Sequence, residues 1–187
     1  MKLFKETLLI LTVLLFVCSC KNETNKTEKK LEQQPKTETS KTKKTKVCNI
    51  TVKGVFPAND VIELFFAEIA TDKFAGKNKV RRRITGREKS QKIVFNLFDY
   101  YPEKIRLDLG ANKKMEKVIL EEITINYDEN IFKIDNTNID KYFTKNAYIS
   151  YGVDNNISLV ELEKEGVKTY DPFLISSPLL VKELVKL

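Results

Sequence analysis

Lys104-Ile105-Arg106-Leu107-Asp108-Leu109-Gly110 alternates charged and apolar side chains without a break and ends on a glycine. Successive side chains of an extended strand point to opposite faces. Ile105, Leu107 and Leu109 therefore go to one face and Lys104, Arg106 and Asp108 to the other, as on a strand with one buried and one wetted side. Gly110-Ala111-Asn112 then turns the chain. Downstream, Val118 to Tyr127 continues the alternation, provided a bulge near Glu121-Glu122 resets its phase. Upstream, Lys92 to Phe98 puts Ile93, Phe95 and Leu97 on one face, and Gly86-Arg87-Glu88 separates it from Lys79 to Thr85. A mostly polar loop, Thr71 to Asn78, follows Val61 to Ile69, which is apolar on both faces as a central strand is. Cys48 to Phe56 opens the series and Pro57-Ala58-Asn59-Asp60 ends that first run.

Beyond Asp135 the alternation loosens. Asn138 is placed to cap a short helix from Ile139 to Thr144. Ala147 to Val153 and Ile157 to Glu163 read as strands joined by Asp154-Asn155-Asn156, and Gly166 turns into Val167 to Tyr170. Ser177-Pro178 is a capping residue followed by proline at the first helical position. Leu180, Val181, Leu184, Val185 and Leu187 then share one helical face, which predicts a docked amphipathic helix. Many short strands with regular turns predict a mainly β fold: a β-sandwich or jelly roll with a short C-terminal helix.

Residues 61 to 127 carry a resemblance. Val61-Ile62-Glu63-Leu64-Phe65-Phe66, the strand into Thr85-Gly86, the run Gln91 to Leu97, and Arg106-Leu107-Asp108-Leu109-Gly110 leading into Val118 to Ile125 stand in a familiar order. This order resembles the galactose-binding-like jelly rolls appended to bacterial cell-surface glycosyltransferases and membrane proteins. Those domains carry an Arg-Leu-Asp-Pro-Gly stretch, whose proline position is Leu109 here. The resemblance covers under half of the domain. It implies a jelly roll and leaves the function open between sugar binding, protein binding and support of a neighbour.

The N-terminus has a different composition. Lys2 and Lys5 precede an apolar run from Leu8 to Val17, the length of an export-signal core and short of the ~20 residues a spanning helix needs. Val17-Cys18-Ser19-Cys20 then gives way at once to Lys21-Asn22-Glu23. This resembles the lipobox of bacterial lipoproteins, with Ser19 before the cut, Val17 where leucine is preferred, and Cys20 as the lipidated residue. Cys18 is the weaker anchor, because Phe16-Val17 before it is bulky. The resemblance implies residues 1–19 as signal peptide, a membrane partner through the lipid, and a place in the bacterial cell envelope, at the outer membrane.

Residues 20–46 contain Leu31 as their one aliphatic side chain and no aromatic ring. Such a segment buries too little to offset its ordering entropy, and is expected to be a disordered tether. A chain of that length reaches about 25–30 Å. It holds nine Lys and four Glu, a net +5; with +1 on the signal, the total of +7 leaves +1 for residues 47–187. The basic character lies in the tether, which argues against nucleic acid as a partner. Cys48 is the one cysteine left to the domain and reads as a small buried hydrophobe.

The chain has no histidine, no Gly-x-Ser-x-Gly elbow and no glycine-rich phosphate loop. Imidazole-base mechanisms and histidine-ligated zinc are excluded. No cofactor, metal or enzymatic activity is expected. The candidate ligand-binding residues are Arg106 and Asp108, which share a strand face, Arg82 of the Arg81-Arg82-Arg83 cluster, and Tyr101, with Tyr100 and Tyr127 as other stacking rings. Against these stand plainer readings: a surface ion pair for Arg106 and Asp108, and a charge-guarded edge strand for the arginines. The leading expectation is a non-catalytic, membrane-anchored envelope lipoprotein whose sandwich binds glycan. Its rivals are a protein-interaction subunit of an envelope assembly and an enzyme acting on glycans through two carboxylates such as Glu121 and Glu122.

Overall fold

A computed structural model describes residues 47–152 and 156–187. The expected signal, Cys20, the tether and most of the 154–156 turn lie outside the described residues.

The domain is a mainly β sandwich. The first strands are β1 (Cys48–Phe56), β2 (Asp60–Ala67), β3 (Lys79–Ile84), β4 (Arg87–Phe98), β5 (Lys104–Asp108) and β6 (Lys117–Tyr127). After β7 (Asn130–Asp135) come α1 (Ile139–Tyr142), β8 (Phe143–Lys145), β9 (Ile149–Tyr151) and β10 (Asn156–Leu159). Then follow β11 (Leu162–Lys164), β12 (Val167–Thr169), β13 (Phe173–Ser176) and α2 (Pro178–Leu184). One sheet runs β4-β1-β6-β10-β9, with β7 also on β6; the second runs β3-β2-β5-β13-β8; β11 and β12 form a separate hairpin. All the pairings are antiparallel.

The alternation predicted from sequence sets the core. Ile50 and Val52 of β1, Ile93, Phe95 and Leu97 of β4, and Val118, Leu120, Ile123 and Ile125 of β6 are buried. They share one cluster with Ile62 and Leu64 of β2, Ile105 and Leu107 of β5, and Leu174 of β13. The jump in phase from Leu120 to Ile123 is a bulge: Lys53 faces Glu122 and Gly54 faces Leu120, which leaves Glu121 as the extra residue. Cys48 is a free, fully buried thiol. Burial, with the Asp128 carboxylate adding to it, pushes its pKa up to about 12, so it stays protonated and packs as a hydrophobe.

Two strands carry no sequence expectation, and two expectations need correction. Asn130–Asp135 forms β7, a hairpin with β6, although only Ile134 is buried and Ile131 lies exposed. Phe173–Ser176 is a strand, inserted between β5 and β8. Ile157 to Glu163 is broken into β10 and β11 at Val160 and Glu161. Asn138 stands at the start of α1 without capping it; its amide donates to Asp135 and Thr137 instead. The C-terminal helix has the predicted cap, Ser177 Oγ accepting from Leu180 N at 3.3 Å. Its Leu180 and Leu184 belong to the sandwich core.

Loops at one end of the sandwich are tied around Asn59 and Asp60. Asp60 Oδ1 accepts from the N–H of Val61 (2.7 Å) and of Ala111 (3.2 Å), and Oδ2 accepts from Asn112 N at 2.8 Å. Asn59 Oδ1 accepts from Gly86 N at 2.7 Å, and its carbonyl accepts from Asn112 Nδ2 at 2.8 Å. Gly110, at φ 104°, turns the chain so that these amides face the carboxylate. Three separate connections thus share one buttress, and it lies just beyond the C-terminal end of β5.

Candidate functional site

β5 is the central strand of the five-stranded sheet, and its charged side chains lie on the sheet's outer face. Arg106 and Asp108 form a two-pronged pair, Nε to Oδ1 at 2.6 Å and Nη2 to Oδ2 at 2.7 Å. Charged, planar pairs of this kind hold both partners in one orientation. The guanidinium lies 3.9 Å from the Phe173 ring centre and 5.1 Å from that of Phe65. The strand register explains this: Phe65 of β2 faces Arg106 directly, while Phe173 of β13 faces Asp108 and reaches Arg106 on the diagonal. Asp171 adds a carboxylate oxygen 3.7 Å from Arg106 Nη2. Glu63, opposite Asp108, takes Lys79 at 3.2 Å and Arg81 at 2.5 Å. The result is a half-buried set of alternating charges with two rings closing on one arginine.

Burial pushes the Asp108 carboxyl up to about 6, the Arg106 fork pulls it down without offsetting this, and Asp171 and Glu63 add to the rise. In the unfolded chain an Asp titrates near ~3.9. A raised folded-state value means that protonation favours the native state. That contribution is complete below the unfolded value and is lost as pH rises through about 6. Stability of the wild type should therefore fall relative to Asp108→Asn between pH 4 and pH 7, by on the order of 2 kcal/mol. Urea unfolding of both proteins across that range checks it, and a carboxyl carbon titration of Asp108 should show its midpoint near 6. A midpoint below 4 would show that the Arg106 fork outweighs burial.

The structure does not gather all four residues singled out from sequence. Arg106 and Asp108 meet. Arg82, on the inward-facing side of edge strand β3, donates from Nε to the Val94 carbonyl of β4 at 2.6 Å, tying one sheet's edge to the other's. Tyr101 precedes β5 at the end away from Gly110. Its hydroxyl donates to Asp128 Oδ1 at 3.0 Å and its ring meets Tyr127 edge-on at 5.3 Å. Burial, helped by Asp128, pushes the Tyr101 hydroxyl up to about 12. Tyr127 is buried and donates to the Pro102 carbonyl, and Tyr100 packs on Phe66. The rings beside Arg106 are Phe65 and Phe173. Phe65 is the outward apolar residue of β2, whose alternating residues Ile62, Leu64 and Phe66 are buried, a pattern legible in the sequence.

Glu121 and Glu122 are engaged separately. Glu121 takes Lys53 at 2.7 Å and Ser90 at 2.8 Å, while Glu122 accepts from Thr124 at 2.8 Å. The hydrogen bond from Lys53 holds Glu121 below its usual value, the reverse of what a general acid needs. A cleft of about 530 Å³ is lined by Lys113, Glu116, Leu159, Glu161 and Tyr170, and Lys113 pairs with Glu161 in it. Glu161 is likewise lowered by that lysine. Among the described residues no group of three metal-ligating side chains converges, and no helix is long and apolar enough to cross a membrane.

No protein-family model, curated protein or solved structure matches the chain.

Proposed function

We propose that this chain is an envelope lipoprotein, anchored through Cys20 and spaced from the membrane by residues 20–46, whose jelly-roll-like sandwich is a non-catalytic glycan-binding module. The observation that carries the binding reading is the Arg106–Asp108 fork on the central strand of the five-stranded sheet, stacked on Phe173 and flanked by Phe65. Paired hydroxyls of a sugar suit a carboxylate acceptor beside a guanidinium donor, and apolar ring faces suit its C–H surface. The non-catalytic reading draws support from Glu121 and Glu161, both held in their charged forms by lysines. The C-terminal helix, which a protein-interaction subunit could use for docking, has Leu180 and Leu184 committed to the core and leaves Leu179 exposed.

Glycan-array binding by the full-length protein in detergent tests the module. Asp108→Asn and Arg106→Gln should each weaken the selected glycan at least tenfold while the melting curve stays cooperative. A blank array, together with one specific partner in an envelope cross-linking experiment, would replace this reading with a protein-interaction subunit. For the anchor, Cys20→Ala should abolish incorporation of labelled palmitate in bacteria. Label persisting at the wild-type level would overturn the assignment.

A further inference from the structure

The six-stranded sheet ends on β4 and the five-stranded sheet on β3, and the two edges adjoin on one side of the sandwich. A groove of about 380 Å³ runs between them, lined by Arg82, Arg83, Gln91, Lys92, Val94 and Asn96. Residues 79–98 hold seven Lys and Arg against one Glu, a net +6. Since residues 47–187 total +1, the rest of the domain carries −5. The charge asymmetry hidden in a near-neutral domain is therefore concentrated on this edge.

Several of the cations elsewhere have acceptors. Lys53 takes Glu121, Arg106 takes Asp108, Lys113 takes Glu161 and Lys186 takes Glu183. On the edge, Lys79 and Arg81 share Glu63. Arg83, Arg87, Lys89 and Lys92 are exposed and have no acceptor among the described residues. Guarding an edge against pairing needs only a charge or two. With Glu63 counted, five net positive charges over this short stretch still repel one another, and a bound polyanion removes that repulsion.

We infer that the β3–β4 groove docks an acidic polysaccharide, with Arg83 and Lys92 contacting its carboxylates or phosphates from opposite walls. Arg83 belongs to one edge strand and Lys92 to the other, and both line the groove, so a linear chain lying in it is reached from both sides. β4 is twelve residues long, about 35–40 Å at strand spacing, which suits an extended polymer. Within the groove, the Asn96 amide has no partner among the described residues, and as sheet edges β3 and β4 present backbone donors and acceptors, the Val94 carbonyl excepted, which Arg82 takes. These polar groups match the hydroxyls of a sugar chain. A flat bilayer would meet the rim and leave them unused. The site is separate from the Arg106–Asp108 face and does not require that face to bind.

The test uses the full-length protein in detergent, with an octamer of galacturonic acid as probe, maltooctaose as neutral control and vesicles of 30 % phosphatidylglycerol as the lipid arm. The triple variant Arg83→Gln/Arg87→Gln/Lys92→Gln alters only exposed side chains and should keep the wild-type melting temperature. It should bind the acidic octamer at least tenfold more weakly, with a shallower salt dependence. Arg106→Gln should bind it as the wild type does, so that loss at the sheet face and loss at the edge are told apart. Equal binding by the triple variant and the wild type would assign the polyanion to the lysine-rich segment before residue 47. Equal affinity for maltooctaose, absence of acidic-octamer binding, or edge-dependent binding to vesicles alone would each overturn the inference.

Discussion

Replacing Gly110 with alanine should destabilise the domain by about 3–5 kcal/mol, the sum of backbone strain and the loss of a carboxylate buttress. Gly110 sits at φ 104°, which costs a residue with a Cβ of order 1–3 kcal/mol. The added methyl would also overlap Asp60 Oδ2. To escape, the Asp60 carboxylate must leave Val61 N, Ala111 N and Asn112 N, which it now accepts from at 2.7, 3.2 and 2.8 Å. Hydrogen bonds to a charged group contribute about 1.5–3 kcal/mol each, and neighbouring ones are not additive. Urea unfolding gives the number. Gly166→Ala is the control, since Gly166 also has a left-handed φ, 78°, but nothing lies within 4 Å of its added methyl. It should lose only about 1 kcal/mol. Equal losses at the two glycines would show that strain alone matters and that the Asp60 buttress contributes nothing.

Gly54→Ala should cost about 3 kcal/mol or more, because the new methyl would overlap the carbonyl oxygen of Ile119, a backbone atom of the neighbouring strand. Gly54 lies where β1 and β6 change register around Glu121. β1 is bonded on both edges, to β4 and to β6, so it cannot move aside without breaking one ladder. The readouts are the urea midpoint and amide exchange. Protection should drop along β1 and at Ile119 and Leu120 while β13 and β5 keep theirs. Gly76→Ala, whose methyl meets open space, should be neutral within about 0.5 kcal/mol. A Gly54→Ala protein as stable as the wild type would mean that the bulge absorbs the methyl.

Where one face is buried and the other wetted, the sequence was readable. The Ile105-Leu107 alternation, the bounds of β1, the bulge at Glu121 and the Ser177 cap all follow from local periodicity and local hydrogen bonding. β7 was not legible, because Ile131 points outward and only Ile134 is buried, so its hydrophobic signal is one residue deep. β13 was hidden for a related reason: it buries Leu174 beside Ser176, whose hydroxyl bonds both backbone groups of Ile105. Pattern reading discounts a polar side chain whose partner is 71 residues away.

The candidate site divides in the same way. Arg106 and Asp108 are two apart on one strand, so their meeting could be read from spacing alone. Phe65 and Phe173 come from other strands, and only the register of the sheet brings them to Arg106. Arg82 and Tyr101 stand out in the sequence by residue type alone. Their polar groups are already bonded to Val94 and Asp128, which is decided by distant neighbours.

The insertion of β13 between β5 and β8 also bears on the time at which the sandwich exists. Among the described residues β8 has no sheet neighbour but β13, and β5 meets β13 across more than sixty residues of chain. The centre of the five-stranded sheet closes only when Phe173–Ser176 arrives. α2, which follows at once, then places Leu180 and Leu184 in the same core. Closing such long loops before the contacts are gained makes for slow, late folding. A chain emerging from its N-terminus would thus have β1 to β7 out before the second sheet could close. The contact of Arg106 with Phe173 on the outer face would form last, after nearly all of it had emerged.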